Sequence, residues 1–184
     1  MAAPLHQTSR YFAVTTLKFA STLAVLTLLT ACSSNNDAAP ACPLVAAPDD
    51  VAKITRFRDG PGRDLIDVVA EAQIADAAVQ CDYDRSGVTV QLQLGILGTR
   101  GPADTSRTAA FDYFVAIADP RGTIVAKEVF PVSFSFENRQ RVGQIENLEQ
   151  RIPLTNQADG AAYKIVVGFQ VSPTELEWNR RAAR

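Results

Sequence analysis

Histidine is nearly absent from this sequence: the 184 residues contain one, His6, together with one methionine and one tryptophan. Acid–base catalysis relies most often on histidine, and Ser-His-Asp and Cys-His arrangements require it. Because His6 lies in a segment that we expect to be removed, the finished domain has none. The composition therefore argues against enzymes of these classes and against zinc sites with histidine ligands.

An excess of positive charge is also missing. The chain has 18 Lys+Arg and 20 Asp+Glu, a formal net charge of −2. Domains that bind nucleic acid are typically basic, so we expect no nucleic-acid partner. The composition does not exclude a hydrolase that uses two carboxylates. No particular acidic pair stands out, however, and we expect neither a catalytic residue nor a cofactor.

The beginning of the chain differs in composition from the rest. Residues 1–31 contain no Asp or Glu and end in an apolar run from Phe19 to Ala31. This run is shorter than the about 20 residues that a membrane-spanning helix needs. The cations Arg10 and Lys18 before a short apolar segment with small residues at its end are typical of a secretory signal peptide. We therefore expect residues 1–31 to be a signal peptide.

The end of this run, Leu29-Thr30-Ala31-Cys32, resembles the lipobox of bacterial lipoprotein precursors. The resemblance implies cleavage before Cys32, a diacylglycerol thioether on its sulfur, and acylation of the new amino terminus, with palmitate as a typical chain. It also implies that the membrane is a partner. Because Ser33 rather than Asp follows, the resemblance favours an outer-membrane location that faces the periplasm. The alternative is a plain signal peptide followed by an unmodified cysteine.

The segment after Cys32 is small, polar and without periodicity. We expect residues 32–41 to be a lipidated cysteine and a flexible tether that spans at most about 30 Å, followed by a domain over residues 42–184. Cys42 and Cys81 remain in that domain. A signal peptide implies an oxidising compartment, which predicts a disulfide between them. Two free buried thiols are the alternative.

Apolar and polar residues alternate through most of the domain, which predicts strands with one buried face. Pro131 places its strand at a sheet edge or at a bulge. Asp119-Pro-Arg-Gly122 is typical of a turn. The predicted strands cover residues 65–83 (two short strands or one long bent one), 88–96, 111–118, 124–136, 143–154 and 163–171. The Glu and Gln content of residues 143–154 also permits a helix, but their position between strands favours a strand.

The final segment has the pattern of a helix start. Ser172, Pro173 and Glu175 match an N-terminal cap, which predicts a helix from Pro173 to about Arg181. Seven or eight strands and one short helix indicate an all-β, antiparallel sandwich, with a small barrel as the alternative.

Asp159-Gly-Ala-Ala-Tyr163, just before a strand, resembles the tyrosine corner of immunoglobulin-like sandwiches. This resemblance favours an Ig-like sandwich. The domain is similar to small uncharacterised bacterial lipoproteins with this fold, which implies no functional residue beyond Cys32.

One short motif has the spacing of a metal site. Asp82, Asp84 and Ser86 match the first half of a calcium-binding loop. In the second half, Gln93 stands where a bidentate glutamate is needed. A hairpin turn explains the same residues, so we expect no metal and keep these three only as weak candidates.

The remaining candidates are cationic or aromatic. We predict a long loop at residues 98–109, and both this loop and the basic C-terminus are candidates for function. A possible interaction surface comprises Arg100, Arg107, Trp178, Arg180 and Arg181.

We therefore expect a lipid-anchored lipoprotein of the cell envelope that acts as a non-enzymatic interaction or structural module. Its partner would be an envelope protein or polymer. A small-ligand or calcium-binding lipoprotein is the alternative, and a histidine-free hydrolase is the third hypothesis.

Overall fold

A computed structural model describes residues 40–182. The predictions that concern the signal peptide, Cys32 and most of the tether lie outside the described residues.

Strands dominate the described part of the chain, and they follow the predicted alternation. The single α-helix there is α1 (Pro173–Ala182). The strands are β1 (Leu44–Ala46), β2 (Lys53–Phe57), β3 (Val68–Asp84), β4 (Gly87–Arg100), β5 (Thr108–Ala118), β6 (Ile124–Ser135), β7 (Arg141–Pro153) and β8 (Lys164–Phe169).

The strands form two separate four-stranded sheets, ordered β1-β8-β5-β6 and β2-β3-β4-β7. The fold is therefore a β-sandwich and not a closed barrel. β4 neighbours β7 in one sheet, and β5 neighbours β8 in the other. Strands B and E and strands C and F of an immunoglobulin sandwich have this relationship, so the predicted Ig-like architecture is confirmed.

The core lies between the inner faces of the two sheets. Every second residue of β4 from Val88 to Ile96 is fully buried, while the residues between them are polar or small. Phe111 and Tyr113 of β5 and Phe169 of β8 face them from the other sheet. Each such side chain stabilises the fold by roughly 1.5–3 kcal/mol relative to an exposed position.

Three features of the strands refine the predictions. Residues 65–83 form mainly one long strand, β3, which is bulged between Ile74 and Asp76. Pro131 lies on β6, an edge strand, as predicted. β1 was not predicted, and it pairs with β8 in parallel, so the sandwich is not entirely antiparallel.

The predicted tyrosine corner is not seen. Tyr163 packs half-buried against the core directly before β8. Its hydroxyl makes no hydrogen bond within residues 40–182. The phenol that binds a distant backbone carbonyl is that of Tyr83, which donates to Ala41 O over 2.7 Å.

The predicted disulfide between Cys42 and Cys81 is present, with a Cα–Cα distance of 5.7 Å. It joins residues 39 positions apart and links the segment before β1 to the far part of β3. A cross-link of this span restricts the unfolded chain strongly.

Replacing both cysteines (Cys42→Ala with Cys81→Ala) should lower the free energy of unfolding by up to about 4 kcal/mol, because the unfolded chain regains the entropy of an open loop. Urea unfolding of the oxidised protein and of the double variant measures this difference. A loss below about 1 kcal/mol would show that the bridge does little for stability.

Candidate functional site

The two ends of the sandwich carry different connections. Cys42 is bonded to Cys81 near the β3–β4 turn, so the chain from the predicted tether reaches the domain there; we call this the tether end. The opposite end, the loop end, carries the β2–β3, β4–β5 and β6–β7 connections. About 13 residues of β3 separate Cys81 from Val68, so the two ends lie roughly 40 Å apart.

Two large apolar side chains project from the loop end. Leu65 is 77% exposed and Ile66 is 68% exposed, and both belong to a single 3-10 turn, Leu65–Asp67. Isolated exposed apolar residues are common on protein surfaces. Leu65 and Ile66 are adjacent on an ordered turn, so together they form a small apolar patch.

A buried carboxylate holds this turn in place. Asp67 accepts a hydrogen bond from the Asp64 backbone N–H over 3.1 Å, and its side chain contacts the Arg58 guanidinium. Gly62 lies against the same carboxylate, and a Cβ atom there would clash with Asp67 Oδ2. The turn therefore presents Leu65 and Ile66 from a fixed backbone.

The β4–β5 loop is shorter than predicted. It covers residues 101–107 instead of 98–109, because Gly98 to Arg100 continue β4 and Thr108 already belongs to β5. The boundary error has a physical cause, since glycine, threonine and arginine favour a loop unless neighbouring strands pair with them. Gly98 pairs with Val142 and Thr99 with Arg141.

Asp104 organises this loop. Its carboxylate accepts hydrogen bonds from Arg100 Nε (2.6 Å), from the backbone N–H of Ser106 (2.9 Å) and from that of Arg107 (3.0 Å). Burial works to raise the pKa of Asp104, but the bonds from Arg100, Ser106 and Arg107 outweigh it and hold the pKa below its usual value. Arg100 is thus part of the loop's framework.

Arg107 and the apolar patch share the loop end. Arg107 has a positive φ of 60°, its backbone N–H donates to Asp104, and its side chain is exposed. The loop packs against the start of β3, since the Gly101 N–H donates to Val69 O over 2.8 Å. The β4–β5 loop therefore stands beside the β2–β3 loop that carries Leu65.

Trp178 lies in a cleft between α1 and β2. Its ring packs edge to face on the Phe57 ring, with the two ring centroids 4.9 Å apart. The central carbon of the Arg63 guanidinium lies 5.2 Å from the Phe57 ring centroid. Arg56 pairs with Glu175 over 3.2 Å in the same cleft, whose volume is about 240 Å³. Glu175 also caps the helix as predicted, accepting from the Ser172 N–H over 2.7 Å.

The rest of α1 is fastened to the segment before β2. Asn179 is buried, and its amide donates to Asp50 O (2.9 Å) and Lys53 O (2.6 Å). Arg180 pairs with Asp50 over 3.2 Å, whereas Arg181 is exposed. Sequence analysis missed Asn179, because nothing local marks a lone asparagine as a buried donor.

The five residues predicted as one interaction surface thus occupy three places. Arg100 and Arg107 lie at the loop end, Trp178 lies in the cleft, and Arg180 and Arg181 lie further along α1. The predicted surface missed Leu65 and Ile66, although two adjacent apolar residues in a segment rich in Gly, Pro and Asp are a visible signal.

The weak metal candidates lie at the tether end and form the hairpin turn between β3 and β4. Asp84 accepts hydrogen bonds from the Ser86 N–H (2.7 Å) and from Arg151 Nη2 (2.8 Å). The bonds from Arg151 and Ser86 hold the pKa of Asp84 well below its usual range. Asp82 pairs across the hairpin with Thr89. Within residues 40–182 no cluster of three or more metal-ligating side chains occurs.

A further depression, of about 450 Å³, lies on the outer face of the sheet that contains β4. Amides line it, and two cross-strand hydrogen bonds order them: Gln91 to Glu149 (2.6 Å) and Gln93 to Asn147 (3.0 Å). The alternation of β4 predicted a polar outer face here, but not its concave shape.

Within the described residues, the single helix α1 is too short to cross a membrane. Comparisons with protein-family models, with curated proteins and with solved structures find no match to this chain.

Replacing Asp104 by Asn should lower the free energy of unfolding by about 2 kcal/mol at pH 7, because charge-assisted hydrogen bonds are lost. A carboxylate with a lowered folded pKa stabilises the fold above its unfolded pKa of about 3.9, and that contribution is lost as the pH falls through the folded pKa. The gap between wild type and D104N should therefore narrow in acid. Urea unfolding of both proteins at pH 7 and in acid, below the unfolded pKa, measures this difference in stability. A difference that does not change with pH would contradict the role of the Asp104 carboxylate.

Proposed function

We propose that this protein is a lipid-anchored lipoprotein of the cell envelope that acts as a non-enzymatic interaction module. The observation that carries the proposal is Leu29-Thr30-Ala31-Cys32 at the end of a short apolar run. Each buried CH₂ of an acyl chain contributes about 0.8 kcal/mol, and two or more chains hold a protein stably on a membrane. A diacylated or triacylated Cys32 would therefore be a lasting anchor, with the domain in the periplasm at the outer membrane.

The disulfide supports a location outside the cytoplasm. Bridges such as Cys42–Cys81 form and persist in oxidising compartments and are rare where thiols are kept reduced. Cys42 follows the predicted tether directly, so the bridge fixes the start of the domain at the tether end of the sandwich. With an anchor at Cys32, that end would be the one nearest the membrane.

The loop end is then the surface best placed for a partner. It lies at the far end of β3 from the bridge, roughly 40 Å away. Leu65 and Ile66 supply an exposed apolar pair, and Arg63 and Arg107 lie near by with exposed side chains. The same end also carries the exposed acids Asp59 and Asp64. An envelope protein with an apolar recess and a rim of mixed charge would complement this surface better than an uncharged polymer would.

The cleft between α1 and β2 favours a second candidate function, the binding of a small ligand. Trp178, Phe57 and Arg63 provide aromatic and cationic walls in a volume of about 240 Å³. Calcium as that ligand has less support, since the Asp84 carboxylate already accepts hydrogen bonds from Arg151 and Ser86.

Substituting Cys32→Ser should move the protein from the membrane fraction to the soluble fraction and abolish labelling with a palmitate analogue, because the acylated sulfur is lost. Fractionation and labelling in a lipoprotein-processing bacterium measure both effects. Ser33→Ala is the matched control and should stay membrane-bound and labelled. Retention of the Cys32→Ser protein by membranes would contradict the anchor.

A photoreactive amino acid at position 65 should cross-link the protein in living cells to one discrete partner, since Leu65 would lie inside the interface. The control carries the same group at position 145, because Ile145 is similarly exposed (66%) but lies on β7. Equal cross-linking from both positions, or none from position 65, would remove the loop end as the interaction surface.

A further inference from the structure

β3 is much longer than the strand beside it. β2 pairs with β3 only between Val68 and Gln73, and the last bond on that side runs from the Ile74 N–H to Ala52 O (2.9 Å). Within residues 40–182 no strand pairs with residues 75–80 on that side. All six of these residues are exposed. We call this stretch the open edge of β3.

The chain itself closes both ends of the open edge. At one end, Lys53 pairs with Gln73 and Ala52 accepts a hydrogen bond from the Ile74 N–H, so these residues fill the neighbouring position there. At the other end, Cys42 is bonded to Cys81 and Ala41 O accepts from the Tyr83 hydroxyl. The gap between these stops is six residues long, or about 20 Å of extended strand.

The side chains around the gap leave room on both faces. On the inner face, Ala77 and Val79 pair with Leu94 and Leu92 of β4, yet Val79 stays 36% exposed because no residue in the described part of the chain covers it. On the outer face, the depression of about 450 Å³ reaches the edge at residues 78–80. A strand placed in the gap would cover Val79 with one face and reach the depression with the other.

The open edge has little of the protection that edges usually carry. Proline, lysine, bulges and short length discourage the addition of a further strand. The bulge between Ile74 and Asp76 lies at the start of the open edge, and residues 76–80 beyond it pair regularly with β4. β6, an edge strand of the other sheet, carries both Lys127 and Pro131. Residues 75–80 contain neither, and Asp76 is their one charge. Because backbone groups alternate along a regular strand, those of every second residue between 76 and 80 point away from β4 and can bond a new strand.

We propose that the open edge of β3 binds an extended segment of a partner protein, which adds to the sheet beside β3. Such strand addition derives affinity from main-chain hydrogen bonds and specificity from alternate side chains. The segment would have about six residues, with apolar side chains at alternate positions over Ala77 and Val79. Its outward positions would be basic or amide, because Asp76, Gln80 and Asp82 line the outer side. This site is separate from the loop end and does not depend on a lipid at Cys32.

A second copy of this chain fits the gap poorly. In an antiparallel pairing centred on Ala78, residues 82 and 83 of one copy would meet residues 74 and 73 of the other. Ala52 and Lys53 already occupy that place. A short free segment avoids the collision, so the geometry favours a peptide over a dimer.

The test uses the purified full-length protein with its disulfide intact and a capped peptide, Lys-Val-Thr-Val-Lys-Val-Thr-Val, as the probe. Hydrogen exchange of the backbone amides of residues 75–80 that point away from β4 should be fast without the peptide. It should slow about tenfold or more with roughly 1 mM peptide. The same peptide with N-methylated valines lacks the required donors and should give no protection.

Val79→Lys should weaken peptide binding about tenfold or more, because an inward-pointing charge opposes strand addition. Val129→Lys is the matched control: Val129 is also an exposed valine on an edge strand (48%), and this variant should bind as the wild type does. Ala77→Lys tests the same face if Val79→Lys unfolds.

Three results would overturn the proposal. The first is no protection of residues 75–80 at roughly 1 mM peptide. The second is an equal loss of binding in the Val79 and Val129 variants. The third is full protection of these amides without peptide, which would assign the gap to the chain's own N-terminal segment or to a second copy.

Discussion

Burial of one face of β4 between the two sheets is the constraint on which the rest of the structure depends. β4 pairs with β3 on one side and with β7 on the other along nearly its whole length. Because side chains alternate along a strand, a shift of one residue would expose the entire apolar set. The register of β3, β4 and β7 is therefore fixed. The loops at the two ends of these strands do not set that register, so their residues can differ in chemistry. The fully buried residues of β4 are Val88, Val90, Leu92, Leu94 and Ile96.

That constraint explains the different ends of the domain. At the tether end, Cys42–Cys81 and the Asp84–Arg151 pair close the sheet tightly around the β3–β4 turn. At the loop end, Asp67 and Asp104 are buried acids that order two adjacent loops, each through an arginine. A membrane anchor at the first end and a recognition surface at the second would use this asymmetry directly.

The elements that could be predicted from sequence have local determinants. The alternation of apolar and polar residues predicts β4, and the cap formed by Ser172 and Glu175 predicts the start of α1. β1 could not be predicted, because three residues that pair in parallel with β8 leave no local pattern. The sequence predicts a loop over residues 98–109 that is longer than the observed loop 101–107, because strand pairing, not composition, decides that Gly98 and Thr99 are strand. The open edge of β3 results from a difference in length between paired strands, which only the assembled sheet reveals.

The proposed lipidation of Cys32 would join the predicted signal peptide to the folded domain, and intact mass spectrometry of protein from native-host membranes tests it most directly. The account predicts a chain that begins at Cys32 and carries the added mass of a diacylglyceryl group and an amide-linked acyl chain. A chain that begins at Met1, or one that begins at residue 32 without added mass, would contradict it.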